Sequence, residues 1–289
     1  MCCYCKPCKL ILELWVVRMH ETAREARYQA RLTETGLAVE DTIALCAAYS
    51  ATKDWDEVRS KALKENLLGK GSRSRILKLI GAVERRVVQA APPLDRPIAI
   101  SRFLAADAKV PTAAKTQLLF VLAVLEDIAL GDAFRTLVLP GVVGTGSRSL
   151  SADDIRRFHS RVAETRSEVA RWTEQTRSRW AQGLRLVLRE AGFVGSADHS
   201  GPISLRLPVV RDEVIALLCH AVAKGGISGW PILRHDPLNI LLFTESDALR
   251  AARALNNRGW WSFAQSDRII EFRPNHASLE EWLDHGLGI

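Results

Sequence analysis

Apolar positions recurring every three to four residues predict helices along most of the chain. Over 38–51, Val39, Ile43, Ala47 and Ala48 share one stripe. Asp54 is placed to cap a second helix reaching about Asn66, with Glu57 three residues on and Trp55, Val58, Ala62 and Leu63 on its apolar face. After the turn Gly69-Lys70-Gly71-Ser72, a third helix aligns Ile76, Ile80, Val83 and Val87 opposite Ser74, Lys78 and Arg85, and Pro92-Pro93 ends it. Residues 98–138 continue as helix, with breaks near Pro111 and Gly131. Within them 118–128 is apolar nearly all round and belongs in a core.

The glycine-rich stretch 140–149 has no periodicity and reads as a linker. Ser151 then caps a helix with Asp153 and Asp154 in its first turn. From Thr173 to Gly192, Trp180, Leu184, Val187, Leu188 and Ala191 form a stripe, with Ser178, Gln182, Arg185 and Arg189 opposite. Alternation over 195–210, around Gly201-Pro202, predicts a β-ribbon. Helix, helix, ribbon is the order of a winged helix-turn-helix.

Beyond it, a helix is predicted over 212–223, pairing of Ile232-Leu233 with 239–243, a helix capped by Ser246, and a hairpin turned at Ser266-Asp267. The predicted fold is mainly α: a helical N-terminal domain over 31–139, a linker over 140–150, and a winged-helix-like α+β region over 151–289.

With 47% hydrophobic and 25% charged residues, the chain of 289 is neither disordered nor fibrous. Its longest charge-free apolar runs, 116–125, 136–147 and 214–223, are 10–12 residues. A membrane span needs about 20, so a soluble, cytoplasmic protein with no membrane partner is expected. Four of the six cysteines, Cys2, Cys3, Cys5 and Cys8, crowd the first eight residues. Cys5-Lys6-Pro7-Cys8 makes one zinc knuckle, but adjacent Cys2 and Cys3 are badly spaced for a second. The capped, periodic pattern begins after Met19, so residues 1–18 read as a non-native start or a disordered tail. Cys46 and Cys219 read as buried thiols.

Catalytic signatures are missing. Gly141 to Arg148 has glycines five apart, yet Ser147 stands where a phosphate loop requires lysine. The seven histidines include no i,i+4 helical pair and no HExxH, and no GxSxG occurs. No enzyme, metal site or cofactor is expected. Trp55 and Trp180 fit apolar stripes and read as core.

The charge is more informative. Net charge is +7, and of 40 basic residues only 10 are lysine. Residues 53–90 carry ten cations against five acids; residues 151–192 carry nine arginines against six. Lys70 to Arg75 sets backbone N–H groups, hydroxyls and charge at a helix start, an arrangement suited to phosphate. Lys70, Arg73, Arg75, Lys78 and Arg85 are therefore candidate backbone contacts. Arg177, Ser178, Arg179, Gln182, Arg185 and Arg189 are candidate contacts on the helix predicted to enter a groove.

Three stretches carry a family resemblance: Thr33-Glu34-Thr35-Gly36-Leu37; Asp54-Trp55-Asp56-Glu57-Val58-Arg59 on to Asn66-Leu67-Leu68 and Ser72; and Trp172-Thr173-Glu174-Gln175-Thr176 through Leu188 to Phe193. Over about residues 31–195 the chain resembles the BrxA family of BREX bacteriophage-defence systems, formerly labelled inner-membrane proteins. Gly69-Lys70-Gly71 departs from the glutamine-and-arginine pattern that follows NLL in the family. The resemblance implies a non-catalytic, mostly helical protein that binds double-stranded DNA beside methyltransferase, ATPase and phosphatase-like components. The alternative is an adaptor whose basic helical faces meet other defence proteins without touching DNA.

Overall fold

The computed structural model describes residues 28–145, 148–195, 201–266 and 269–289. The expected non-native start (1–18) with its cysteines, Gly146-Ser147 of the glycine-rich stretch, the centre of the expected ribbon (196–200) and the hairpin turn Asp267-Arg268 lie outside them.

A 3-10 turn, Arg31–Thr33, leads into α1 (Val39–Thr52), α2 (Trp55–Lys64) and α3 (Arg73–Val83). The Asp54 carboxylate accepts the backbone N–H groups of Asp56 and Glu57, and the Ser72 hydroxyl that of Arg75. α3 runs on through a π-helical turn, Glu84–Val88, and Ile76, Ile80, Val83 and Val87 are all buried. α1 turns a different face inward from the one expected. Thr42, Leu45, Cys46 and Tyr49 are buried, while Ala47 is exposed. Apolar side chains occupy more than one face of α1 over 43–49, so its partner decides the face: α4 (Pro97–Ala105) packs along it.

α5 (Thr112–Glu126) starts after Pro111 and is buried from Ala114 to Val124. The next break falls at Asp127, not at Gly131. The Asp127 carboxylate accepts N–H bonds from Ala129 and Leu130 and so caps α6 (Ile128–Ala133). Gly131 sits inside α6, where a Cβ would lie 2.9 Å from the Val124 carbonyl oxygen. Its glycine permits close helix contact instead of ending a helix. α6 continues through a π turn, Phe134–Val138, into α7 (Leu139–Thr145).

The stretch read as a linker is therefore helix to Thr145, followed by β1 (Arg148–Leu150). β2 (Ile203–Leu205) pairs antiparallel with β1, Leu150 opposite Ile203, and Val194 bridges Leu205 on the other edge. Between the strands run α8 (Ala152–Ala163), α9 (Ser167–Ala170) and α10 (Glu174–Glu190). Ser151 and Asp154 form a reciprocal capping box at the start of α8.

The remainder holds α11 (Asp212–Lys224), a 3-10 turn Trp230–Arg234, α12 (Asp236–Asn239) and α13 (Glu245–Asn257). The hairpin β3 (Trp261–Ser266) and β4 (Ile269–Pro274) follows, then α14 (Leu279–Glu281), prolonged by the π turn Trp282–Leu287. The predicted pairing of 232–233 with 239–243 does not form. Pro231 and Pro237 open helical turns, and Ile240, Leu241 and Leu242 are buried in succession, which an exposed-and-buried alternation cannot satisfy. Thr244, not Ser246, caps α13, in a reciprocal box with Asp247.

One continuous set of buried apolar side chains runs from Tyr28 to Leu283. Gln117 of α5 stitches into the later chain, donating to the Val209 carbonyl at 2.8 Å and accepting from the Arg211 N–H at 3.0 Å. The fold is mainly helical with small antiparallel strands. Among the described residues no helix is long and apolar enough to cross a membrane.

Candidate nucleic-acid interface

α10 begins where the Thr173 hydroxyl accepts the Thr176 N–H, leaving seventeen residues of continuous helix. Its inner stripe is Trp180, Leu184, Val187 and Leu188, all fully buried. Trp180 is stacked with Phe158 and meets His159 of α8 edge-on, at 6.0 and 4.9 Å between ring centroids. Gly183 lies against the Arg31–Thr33 turn: a Cβ there would come within 2.9 Å of the Leu32 carbonyl carbon and Leu32 Cβ, and closer still to the carbonyl oxygen. Side-chain packing on one side and backbone contact on another fix which face of α10 points outward.

That outward face carries Ser178, Arg179 and Gln182, exposed, with Arg185 and Arg189 half-buried; Arg177, also half-buried, lies two residues from Arg179 and so on the opposite side, towards α8. Arg177, Ser178, Gln182 and Arg185 come together along a cleft of about 260 Å³ between α10 and α8. Arg156 of α8 joins them; the sequence reading missed it. Its signal was the spacing Ala152, Ile155, Arg156, His159 after the Ser151 cap, which turns all four towards α10. Glu174 is the acid on the rim. The Nε atoms of Arg177 and Arg185 are buried and have no hydrogen-bond partner among the described residues. No ion pair holds Arg177, Arg179, Arg185 or Arg189 among the described residues, whereas Arg156 and Arg157 pair with Asp153 and Asp154 at 2.5 and 2.7 Å.

His159, in the same cleft, is held neutral: burial, reinforced by the Arg177 charge, pulls its pKa down to about 4. The cationic character of the cleft therefore comes from guanidinium groups.

The second candidate cluster has a different electrostatic setting. Lys70 pairs with Asp41 at 2.8 Å, and Lys78 with Glu34 at 3.6 Å. Arg75 donates to the Glu34 carbonyl, and Arg85 pairs with Glu126 at 3.1 Å. Glu126 is also paired with Arg31 and with buried Arg86, so Arg85 belongs to an internal charge cluster. Burial pulls the Arg86 pKa down to about 10, and its guanidinium donates to the Gly36 carbonyl at 2.7 Å. Arg73 is exposed without an ion pair among the described residues. The Ser72 hydroxyl is engaged as a cap.

Among solved structures, the chain is similar to the crystal structure of an uncharacterized protein from Magnetospirillum magneticum. The two share 16% sequence identity at a TM-score of 0.55, over 68% of this chain and 95% of that one. That likeness concerns the fold. A comparison with curated proteins finds no match. The BrxA family model matches residues 26–220, which contain α1 to α10 and both candidate clusters. A match over more than half its length shows that the chain belongs to the BrxA family.

Proposed function

We propose that this protein is a non-catalytic, double-stranded-DNA-binding accessory factor that grips the duplex through the outer face of α10. Membership of the BrxA family implies a role in BREX bacteriophage defence. The observation that carries the DNA reading is the unpaired state of the α10 arginines. Arg177, Arg179, Arg185 and Arg189 have no acidic partners among the described residues; Arg177 and Arg185 line the cleft, to which α8 adds Arg156, itself paired with Asp153. A half-buried guanidinium has a fixed direction and a partly removed hydration shell, which suits it to phosphate oxygens.

The element order supports a winged-helix reading of the same region. β1, α8, α9, α10, the bridge at Val194 and β2 follow in sequence, with β2 between β1 and Val194. In that arrangement the last helix presents its solvent face to the major groove. Lys70, Arg73, Arg75, Lys78 and Arg85 then act as outlying backbone contacts, with Arg73 the freest. Sequence preference is expected to be weak, since phosphate contacts position a protein without reading bases. The methyltransferase, ATPase and phosphatase-like components of the defence system are the expected neighbours in the cytoplasm.

The adaptor reading draws on exposed apolar side chains after β2: Val209 is 82% exposed and Leu207 45%. Fluorescence anisotropy with a labelled duplex separates the two. Arg179→Ala/Arg185→Ala lowers affinity about ten-fold if α10 grips DNA, and Lys70→Ala, already paired with Asp41, has a smaller effect. Duplex binding unchanged by the double substitution would reject α10 as the interface.

A further inference from the structure

α11 ends at Lys224, and the chain passes through Gly225 to Gly229 into the 3-10 turn Trp230–Arg234. β4 and the start of α14 face that turn, and together they border an open-mouthed cavity of about 460 Å³. Small-molecule sites occupy about 300–1,000 Å³ and combine apolar walls with a few polar groups. The walls here are Ala223, Ile227, Ile232, Phe272, Pro274 and Leu279. Phe272 is held in place by stacking on Trp261, with ring centroids 4.5 Å apart and planes 12° apart.

His220 is the buried polar group of the wall. It is only 4% exposed, and its Nε2 has no hydrogen-bond partner among the described residues. Contacts with Trp261 and Trp282, at 5.0 and 5.6 Å between centroids, fix the ring. Burial and nearby His276 pull its pKa down to about 4, so near neutral pH the imidazole is uncharged. Exposed Lys224 and Arg273 also line the cavity, and neither forms an ion pair among the described residues. Glu280 is the one acid of the lining among the described residues, and the Ser278 hydroxyl is occupied in accepting the Glu281 N–H.

We propose that this cavity is a binding site for a small aromatic monoanion, its ring along Ala223, Ile227 and Pro274 and its acidic group held by Lys224 and Arg273. Two cations against one carboxylate favour a single negative charge over a polyphosphate. The site lies on elements other than α8 and α10, and it stands or falls independently of DNA binding.

The test is titration of the full-length chain with 1-anilinonaphthalene-8-sulfonate, an aromatic monoanion whose emission rises on desolvation. Near-ultraviolet circular dichroism establishes that each variant is folded. One saturable site per chain is expected, with micromolar affinity and with energy transfer from Trp261 and Trp282. Lys224→Glu/Arg273→Glu alters only exposed side chains and weakens binding by about ten-fold or more. Ala223→Phe fills the cavity and removes binding. Absence of saturable binding, many weak sites, or affinity unchanged by the charge-reversed pair would overturn the assignment; that pair decides alone should Ala223→Phe fail to fold.

Discussion

Gly183 shows how one residue positions an interface. Glycine is a poor choice in the middle of a helix by about 1 kcal/mol relative to alanine. Yet a methyl group at this position would run into the Leu32 backbone. Backbone cannot rotate aside, so Gly183→Ala is expected to destabilise the fold by about 1–3 kcal/mol despite its better helix propensity. Thermal or urea unfolding checks this, and a more stable variant would contradict the packing described. Nothing in the local pattern of α10 announces that constraint, because it comes from a turn some 150 residues earlier. The caps, by contrast, were legible wherever the chemistry was local. Asp54 and Ser151 act as read, while Ser246 lost to Thr244 because Thr244-Glu245-Ser246-Asp247 completes a reciprocal box.

Among elements, the packing of α8 on α10 couples the arginine cleft to pH. His159 lies between Trp172 and Trp180 and is neutral in the folded chain, its pKa near 4 against an ordinary 6.5. The unfolded chain therefore binds more protons between those values, and stability falls as pH drops from about 6.5 towards 4. Buried His220 adds to the same slope. His159→Phe keeps the ring but not the proton site. Its melting temperature is expected to fall less than that of the native chain between pH 7 and pH 5, and parallel pH profiles would contradict this origin. Periodicity found α2, α3, α5 and α10 because each has one clear face or none exposed. It failed where side-chain pattern does not decide. α1 is apolar on more than one face over 43–49, α7 hides glycines inside a helix, and β1 is three residues long, paired with a strand more than fifty residues away.

For the molecule as a whole, the net charge of +7 says less than where its cations are spent. Lys70, Lys78 and Arg85 are tied to acids elsewhere in the fold, and those acids are remote in sequence. Counting charge along 53–90 could not reveal that. The α10 arginines have no such partners among the described residues, so the more weakly charged of the two segments holds the freer cations. The central claim is that these cations meet phosphate. Counterion release makes it measurable: each phosphate contact contributes a slope of about −0.9 to log affinity against log salt. Four contacts predict a slope of about −3 to −4, a loss of roughly a hundred-fold between about 50 and 200 mM salt. Duplex affinity measured by anisotropy across that range is the most direct test. That slope, made shallower by about one for each α10 arginine removed, is the predicted result; no binding at low salt, or an affinity indifferent to salt, would contradict it.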